Sequence, residues 1–104
     1  RAESRLVRAN LERELDLALH EREHARELRD ALKDGVIGPA SEALRQALAQ
    51  YEAGSIDTTS VLAARRELLS ARERWAEACA DVRRADVRLM RLLGRDPGAV
   101  KGWP

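Results

Sequence analysis

Apolar residues recur at steps of three and four through most of the chain, which is the spacing of one face of an α-helix. The clearest run lies in the second half, where an apolar residue falls every seven positions and a second one follows three positions later. This seam comprises Val61, Ala64, Leu68, Ala71, Trp75, Ala78, Val82, Ala85, Leu89 and Leu92. Such a repeat predicts a helix that packs along another helix as a coiled coil. Alanine at every second seam position predicts an unusually close approach of that partner helix.

A second apolar row flanks this seam on the same predicted helix. It consists of Leu62, Leu69, Ala76 and Met90. The apolar surface is therefore wider than one partner helix covers, which predicts neighbours on two sides.

The first third of the chain also has a helical pattern. No glycine or proline occurs before Asp34, and apolar residues recur there at mostly three- and four-residue steps, although Arg22 and Arg29 interrupt their seam. The apolar residues are Leu11, Leu15, Ala18, Ala25, Leu28 and Leu32. The stretch DGVIGP then combines two glycines with Pro39, and the residue before a proline is disfavoured in helical conformation. The pattern predicts a first arm that is kinked or broken near Gly35–Pro39.

Two further stretches mark helix ends. In YEAGSIDTTS, Gly54 suits a left-handed helix cap, and the polar residues after it favour the start of a new helix. In LLGRDPG, Gly94 and the following Pro97 predict the end of the last helix. The predicted fold is all-α: a long antiparallel coiled-coil helical hairpin over residues 1–94, with helices at about 2–34, 39–53 and 58–93, a turn at 54–57 and an irregular tail at 95–104.

Composition agrees with helices and excludes several function classes. Aromatic residues make up 3% of the 104 residues and phenylalanine is absent, so Ala, Leu and Val carry the apolar content. The 19 basic and 18 acidic residues are interspersed, so no basic stripe predicts a nucleic-acid partner. No apolar run approaches the roughly 20 residues of a bilayer-spanning helix. The single Cys79 cannot form an internal disulfide and is predicted to be a small packing residue.

The stretch HEREH matches the H-E-x-x-H helix of zinc peptidases. His20 and His24 share one helix face, and Glu21 stands where a general base would. A catalytic zinc needs a third protein ligand, but the chain has no other histidine, and Glu27 and Asp30 replace the glycine and histidine of the longer signature. We therefore expect no enzymatic activity, no metal and no cofactor, and we place both histidines on a solvated face.

The stretches YEAGSIDTTSVLAARRELLSAR and LMRLLG resemble the C-terminal half of TolC-type outer-membrane efflux proteins. The resemblance covers about residues 39–94 well and the first helix only generically. It implies a segment of the periplasmic helical tunnel that three chains build, and so a homotrimeric parent protein in the outer membrane whose membrane-embedded parts lie outside this segment. The matching positions are Tyr51, Gly54, Val61, Leu62, Leu93 and Gly94.

By the same resemblance, the hairpin tip would dock a periplasmic adaptor protein and, through it, an inner-membrane transporter. The implied docking residues are Tyr51, Ala53, Gly54, Ser55 and Ile56. Tyr51 either bonds across the closed tunnel aperture, as the tip tyrosine of the family does, or packs the last helical turn. The family usually lines its tunnel constriction with aspartates at the positions of Ser60 and Ala63, and some members carry an arginine at the position of Ile56. Those charges are absent here.

Two other interpretations stay open. The hairpin of an adaptor protein is also long and charged, but its tip would carry a motif of Arg, Leu and Ser that is not found around Gly54. An intracellular coiled-coil interaction module would explain the heptads and the charged faces without export. Because the chain begins with Arg1, we expect an excised segment of a longer protein.

Overall fold

A computed structural model of the chain describes residues 2–95. They form an extended helical hairpin that measures 77 × 21 × 15 Å. Within this range the structure contains helices and turns and no strand, so the predicted all-α hairpin is confirmed. None of the helices within residues 2–95 is both long and apolar enough to cross a membrane. Of the predicted irregular tail at 95–104, Arg95 is instead the last residue of a helix, and residues 96–104 lie outside the described residues.

The first arm is a continuous helical rod built from three pieces. Helix α1 (Ala2–Leu32) leads into a π-helix (Lys33–Ile37), which leads directly into helix α2 (Gly38–Glu52). The backbone keeps right-handed helical angles at both joins, with φ −66° and ψ −41° at Leu32 and φ −66° and ψ −45° at Ile37. The predicted kink or break near Gly35–Pro39 is therefore a junction of joined helical pieces, and the helical backbone is not broken there.

Pro39 explains the π-helix. In an α-helix the proline ring would clash with the carbonyl group of Gly35, four residues earlier, and the missing N–H would leave that carbonyl without its bond. In the π-helix each bond reaches one residue further back, and the N–H of Gly38 donates to the carbonyl of Lys33. The wider turn accommodates the ring, and the arm passes the proline without stopping.

The second arm is a single helix, α3 (Thr58–Arg95). It continues through Gly94, where the sequence predicts its end. Among residues 2–95 a positive φ occurs only at Gly54, so Gly94 is an ordinary helical residue and not a left-handed cap. A glycine within a helix costs only about 1 kcal/mol relative to alanine, which a packed helix tolerates.

The core is a line of contacts along the two arms. Six of the ten seam residues of α3 are buried, and Val61, Ala64, Trp75 and Ala85 are half-buried. The buried residues are Leu15, Ala18, Leu32 and Ala47 on the first arm and Leu68, Ala71, Ala78, Val82, Leu89 and Leu92 on the second. The second apolar row of α3 stays exposed, with Leu62 at 44%, Leu69 at 45% and Met90 at 71%.

A cluster of large side chains lies at the end of the paired arms away from the turn. Leu15 and Ala18 of α1 form a buried cluster with Leu89 and Leu92 of α3. Three partly buried leucines surround this cluster, namely Leu11, Leu19 and Leu93. Large side chains therefore close the hairpin at this end, whereas in its middle buried alanines alternate with Leu32, Leu68 and Val82.

Two ion pairs join the arms beside this cluster. Arg22 of α1 donates from Nε to Asp86 Oδ1 of α3 at 2.5 Å, and the two side chains are 31% and 43% exposed. Glu21 accepts a hydrogen bond from Arg88. Exposed ion pairs add only about 0–1 kcal/mol each, but a polar pair beside a helix interface disfavours shifted registers, in which it is broken. We infer that these pairs contribute more to the alignment of the arms than to their stability.

The alanine seam leads to a stability prediction. Ala71 and Ala78 are each 3% exposed against the first arm, so Ala71→Leu or Ala78→Leu forces the backbones apart and lowers the free energy of unfolding by about 1–3 kcal/mol. Urea denaturation followed by circular dichroism measures this loss. The exposed Ala63→Leu is the matched control and should leave stability nearly unchanged. Equal stability of all three variants would show that alanine does not set the distance between the arms.

Candidate docking site at the hairpin tip

The turn begins with a Schellman motif at the end of α2. The N–H of Ser55 donates to the carbonyl of Gln50 at 2.8 Å, and the N–H of Gly54 donates to the carbonyl of Tyr51 at 3.0 Å. These two bonds satisfy carbonyl groups that the end of a helix leaves without partners. Ala53, the C-cap residue, has φ −79° and ψ −5°. The first side of the tip is thus held by backbone bonds.

Gly54 supplies the conformation that this motif requires. Its φ is +78°, in the left-handed region, where a residue with a Cβ is disfavoured by about 1–2 kcal/mol. No atom lies within 4 Å of the place where a Cβ would stand, so the requirement for glycine comes from the backbone and not from crowding.

The second side of the turn is held by a side-chain cap at the start of α3. Asp57 Oδ1 accepts hydrogen bonds at 3.0 Å from both the backbone N–H and the hydroxyl group of Ser60. Both bonds favour the ionised carboxylate, the backbone bond most, and they hold the pKa of Asp57 below its ordinary value. The turn is therefore fixed at both helix ends.

The structure brings the predicted docking residues together on one end of the rod. Ala53, Gly54 and Ser55 are exposed, Tyr51 is 46% exposed and Ile56 is half-buried. The outermost surface consequently consists of small side chains and backbone, with a tyrosine on one edge. A helical partner can approach such a surface closely because little side-chain bulk projects from it.

The two positions at which the resemblance would place constriction aspartates are Ser60 and Ala63, and neither carries a charge here. Ser60 donates both of its bonds to Asp57 and so belongs to the helix cap, and Ala63 is exposed. The carboxylate next to Ser60 belongs to Asp57 and accepts these hydrogen bonds. Asp57 therefore stabilises the turn.

The histidine pair lies on the surface of α1, away from the tip. His20 and His24 are exposed, and Glu21, the expected position of a general base, pairs with Arg88 of the other arm. Within residues 2–95 no group of three or more His, Cys, Asp or Glu residues could hold a metal ion. Cys79 is a half-buried free thiol.

Three features were missed in the sequence. The pairing of Asp57 with Ser60 was visible as an N-cap residue with a hydroxyl three positions later. The ion pair between Arg22 and Asp86 was harder to predict. The sequence shows an arginine within an apolar seam, but its partner can be identified only when the register of the two arms is known. The π-helix was indicated only by the Gly and Pro residues, which equally predicted a break.

Comparison with known proteins gives one match. The family model described as outer membrane efflux protein matches residues 1–95 of the chain. No curated protein and no solved structure matches the chain significantly.

The cap at Asp57 predicts a pH-dependent loss of stability. Asp57→Ala lowers the melting temperature at neutral pH, whereas Asp57→Asn lowers it less, because asparagine also caps helices. Since the pKa of Asp57 is lowered on folding, its contribution is present above the unfolded value of about 4 and is lost as pH falls through the folded value. Melting curves from pH 7 to pH 2 should show the wild type and Asp57→Ala converging below about pH 4. A constant difference across this range would contradict the assignment.

The histidine pair predicts weak metal binding at most. Zinc should not raise the melting temperature appreciably, because two histidines without a third ligand form an incomplete site. Calorimetric titration with zinc checks this, with His20→Ala as the control. An affinity of about micromolar strength that disappears in His20→Ala would refute it.

Proposed function

Since this chain belongs to the outer membrane efflux protein family, we propose that its hairpin is part of the periplasmic tunnel of an efflux channel. Membership makes it a component of an outer-membrane efflux protein, and channels of this kind transport compounds without breaking bonds. The periplasmic position, the trimer and the partners are our proposal. A stiff helical rod 77 Å long supports it, because paired helices of that length can line a tunnel.

The tip carries the more specific part of the proposal, the docking of an adaptor. We propose that Ala53, Gly54 and Ser55 contact the helical end of a periplasmic adaptor protein, with Tyr51 and Ile56 at the edge of the contact. The supporting observation is the Schellman turn, which fixes a surface of small residues at the outermost point of the rod. A preorganised surface loses little conformational entropy on binding. The adaptor would connect the channel to an inner-membrane transporter.

Family membership also bears on the other two interpretations. An adaptor hairpin and an intracellular coiled-coil module would both explain the heptads, but the match over residues 1–95 is to the channel family. We therefore place the hairpin in the channel, as one wall segment of a homotrimer. The chemistry of transport is then enclosure and docking, with no catalytic residue and no cofactor.

The docking proposal is tested by Gly54→Val in the full-length protein. A β-branched residue at a φ of +78° strains the turn by roughly 1–2 kcal/mol and shifts Ala53 and Ser55, while both arms stay folded. We expect loss of efflux at normal channel abundance. Drug susceptibility of cells that carry each variant at equal expression is the measurement.

Two controls accompany this variant. Gly54→Asn should retain most activity, because asparagine tolerates the left-handed conformation. The exposed Arg66→Ala should behave as wild type. Full resistance of cells with Gly54→Val would mean that the turn only connects the helices and has no docking role.

A further inference from the structure

A groove lined by arginines runs along α3 at the end of the hairpin away from the turn. Its volume is about 680 Å³. Cavities that bind small molecules have volumes of about 300–1,000 Å³, so the groove has room for one such molecule. The lining includes two larger apolar residues and four arginines, namely Val87, Leu92, Arg83, Arg84, Arg88 and Arg91. Within residues 2–95 no carboxylate lines it.

Positive charge is concentrated at this end of α3. The whole chain has a formal net charge of +1, but from Val87 to Arg95 the helix contains arginines and neither Asp nor Glu. Arg84 and Arg88 are four residues apart, and Arg91 follows three residues later, so like charges are neighbours on one helix face. Like charges at this spacing destabilise a helix. The stability of α3 therefore does not explain the arrangement.

Two of the four arginines have no partner. Arg84 and Arg88 pair with carboxylates that lie outside the groove. Arg83 and Arg91 are exposed, and within residues 2–95 neither takes part in an ion pair or a side-chain hydrogen bond. The helix dipole favours a cation in the last turn, where Arg91 lies, but Arg83 lies about three turns from that end, beyond the reach of this effect. An anion in the groove would compensate both charges.

The groove also offers apolar surface. Val87 is 46% exposed among the arginines, and Ala80 lies one heptad before it on the same face. The stems of the arginines add to this surface, because an arginine keeps only its head group in water. Ala80 and Arg91 are eleven residues apart, so the groove is about 16 Å long. Such a surface complements a molecule that combines an apolar body with an acidic group.

The basic surface is too short for a nucleic acid. It is confined to the last turns of α3, because Glu77 and Asp81 occupy the turns before it. A nucleic-acid backbone needs cations along a whole face or helix. The size of the groove therefore favours a single small molecule.

We propose that this groove binds an amphiphilic organic anion, with one carboxylate or similar acidic group on an apolar body, as cargo of the efflux channel. The apolar body would lie along Ala80 and Val87, and the acidic group would bind Arg83 or Arg91. The inference names a substrate class for the proposed tunnel and rests on it. Anionic membrane lipids share this chemistry, so the experiment includes one as a competitor.

Photoaffinity labelling of the full-length protein in phosphatidylcholine nanodiscs tests the proposal. The probe is dodecanoate with a diazirine on its chain, and the matched control is the trimethylammonium compound with the same chain and diazirine. The carboxylate should label the part of α3 around Val87. The ammonium compound should label it about tenfold less, because it cannot form a charged hydrogen bond with an arginine. Mass spectrometry locates the label.

Substitutions of the unpaired arginines give the second readout. Arg83→Gln combined with Arg91→Gln should reduce labelling by the carboxylate about tenfold, since the charged hydrogen bond is lost. Arg83→Lys combined with Arg91→Lys keeps the charge and should retain most of the yield. Arg65→Gln combined with Arg72→Gln makes the same change in net charge as the first pair, at exposed positions outside the groove, and should have no effect.

Four labelling results would overturn the proposal. They are equal labelling by the two probes, no labelling around Val87, labelling that Arg83→Gln with Arg91→Gln leaves unchanged, and labelling that phosphatidylglycerol in the nanodiscs abolishes. The second would mean that a protein segment covers the groove, and the fourth would assign the groove to a membrane lipid.

Susceptibility of cells separates this proposal from the proposed function. Cells with Arg83→Gln and Arg91→Gln should lose resistance to deoxycholate, an amphiphilic carboxylate, and keep their resistance to an uncharged drug. Unchanged resistance to both compounds in a working channel would overturn the cargo proposal and leave the efflux function intact. If deletion of the wild-type gene changes resistance to neither compound, the efflux function itself fails, whereas labelling still reports whether the groove binds the anion.

Discussion

The packing of two antiparallel helices along one seam of alternating large and small side chains is the constraint on which the rest of this structure depends. Alanines such as Ala71 and Ala78 bury little apolar area each, so the middle of the hairpin gains stability from many contacts spread along its length. The cluster of Leu15 and Leu92 anchors one end, and the Schellman turn fixes the other. Contacts distributed along the helices suit a long rod, because each part of the hairpin is stabilised by its own neighbours.

Where the seam departs from small apolar residues, the structure acquires its specific features. Arg22 lies in the seam of the first arm and pairs with Asp86 of α3. Because apolar contacts alone allow several registers of the two helices, this ion pair favours the observed one. Trp75 is the largest seam residue, and it lies beside the π-helix of the opposite arm. An exposed apolar groove lies at that junction.

Local rules predicted the elements of this fold better than they predicted the joins. The heptads of α3 and the left-handed glycine at position 54 are determined within a few residues, and both followed from the sequence. The continuation of the helix through Pro39 and Gly94 was harder to predict, because the local propensity of both residues disfavours a helix. At Pro39 a shift in hydrogen bonding allows the helix to continue, and at Gly94 the packing of the arms does. The ion pairs between Arg22 and Asp86 and between Glu21 and Arg88 depend on the register of distant segments, which the turn sets. At the tip, the sequence predicted the turn around Gly54, but the cap at Asp57 depended on the rotamers of two side chains.

The π-helix also shifts the phase of the buried positions along the first arm. Buried Ala18 and Leu32 are two heptads apart, but the next buried residue of the arm is Ala47, one position later than two more heptads would place it. The extra residue is taken up within the widened turn, so both pieces of the arm keep the same face toward α3. An insertion of one residue anywhere else in the arm would rotate everything beyond it by about 100° and turn the seam to solvent. The π-helix is therefore the point at which the arm holds one residue more than its heptads require and still keeps its seam toward α3.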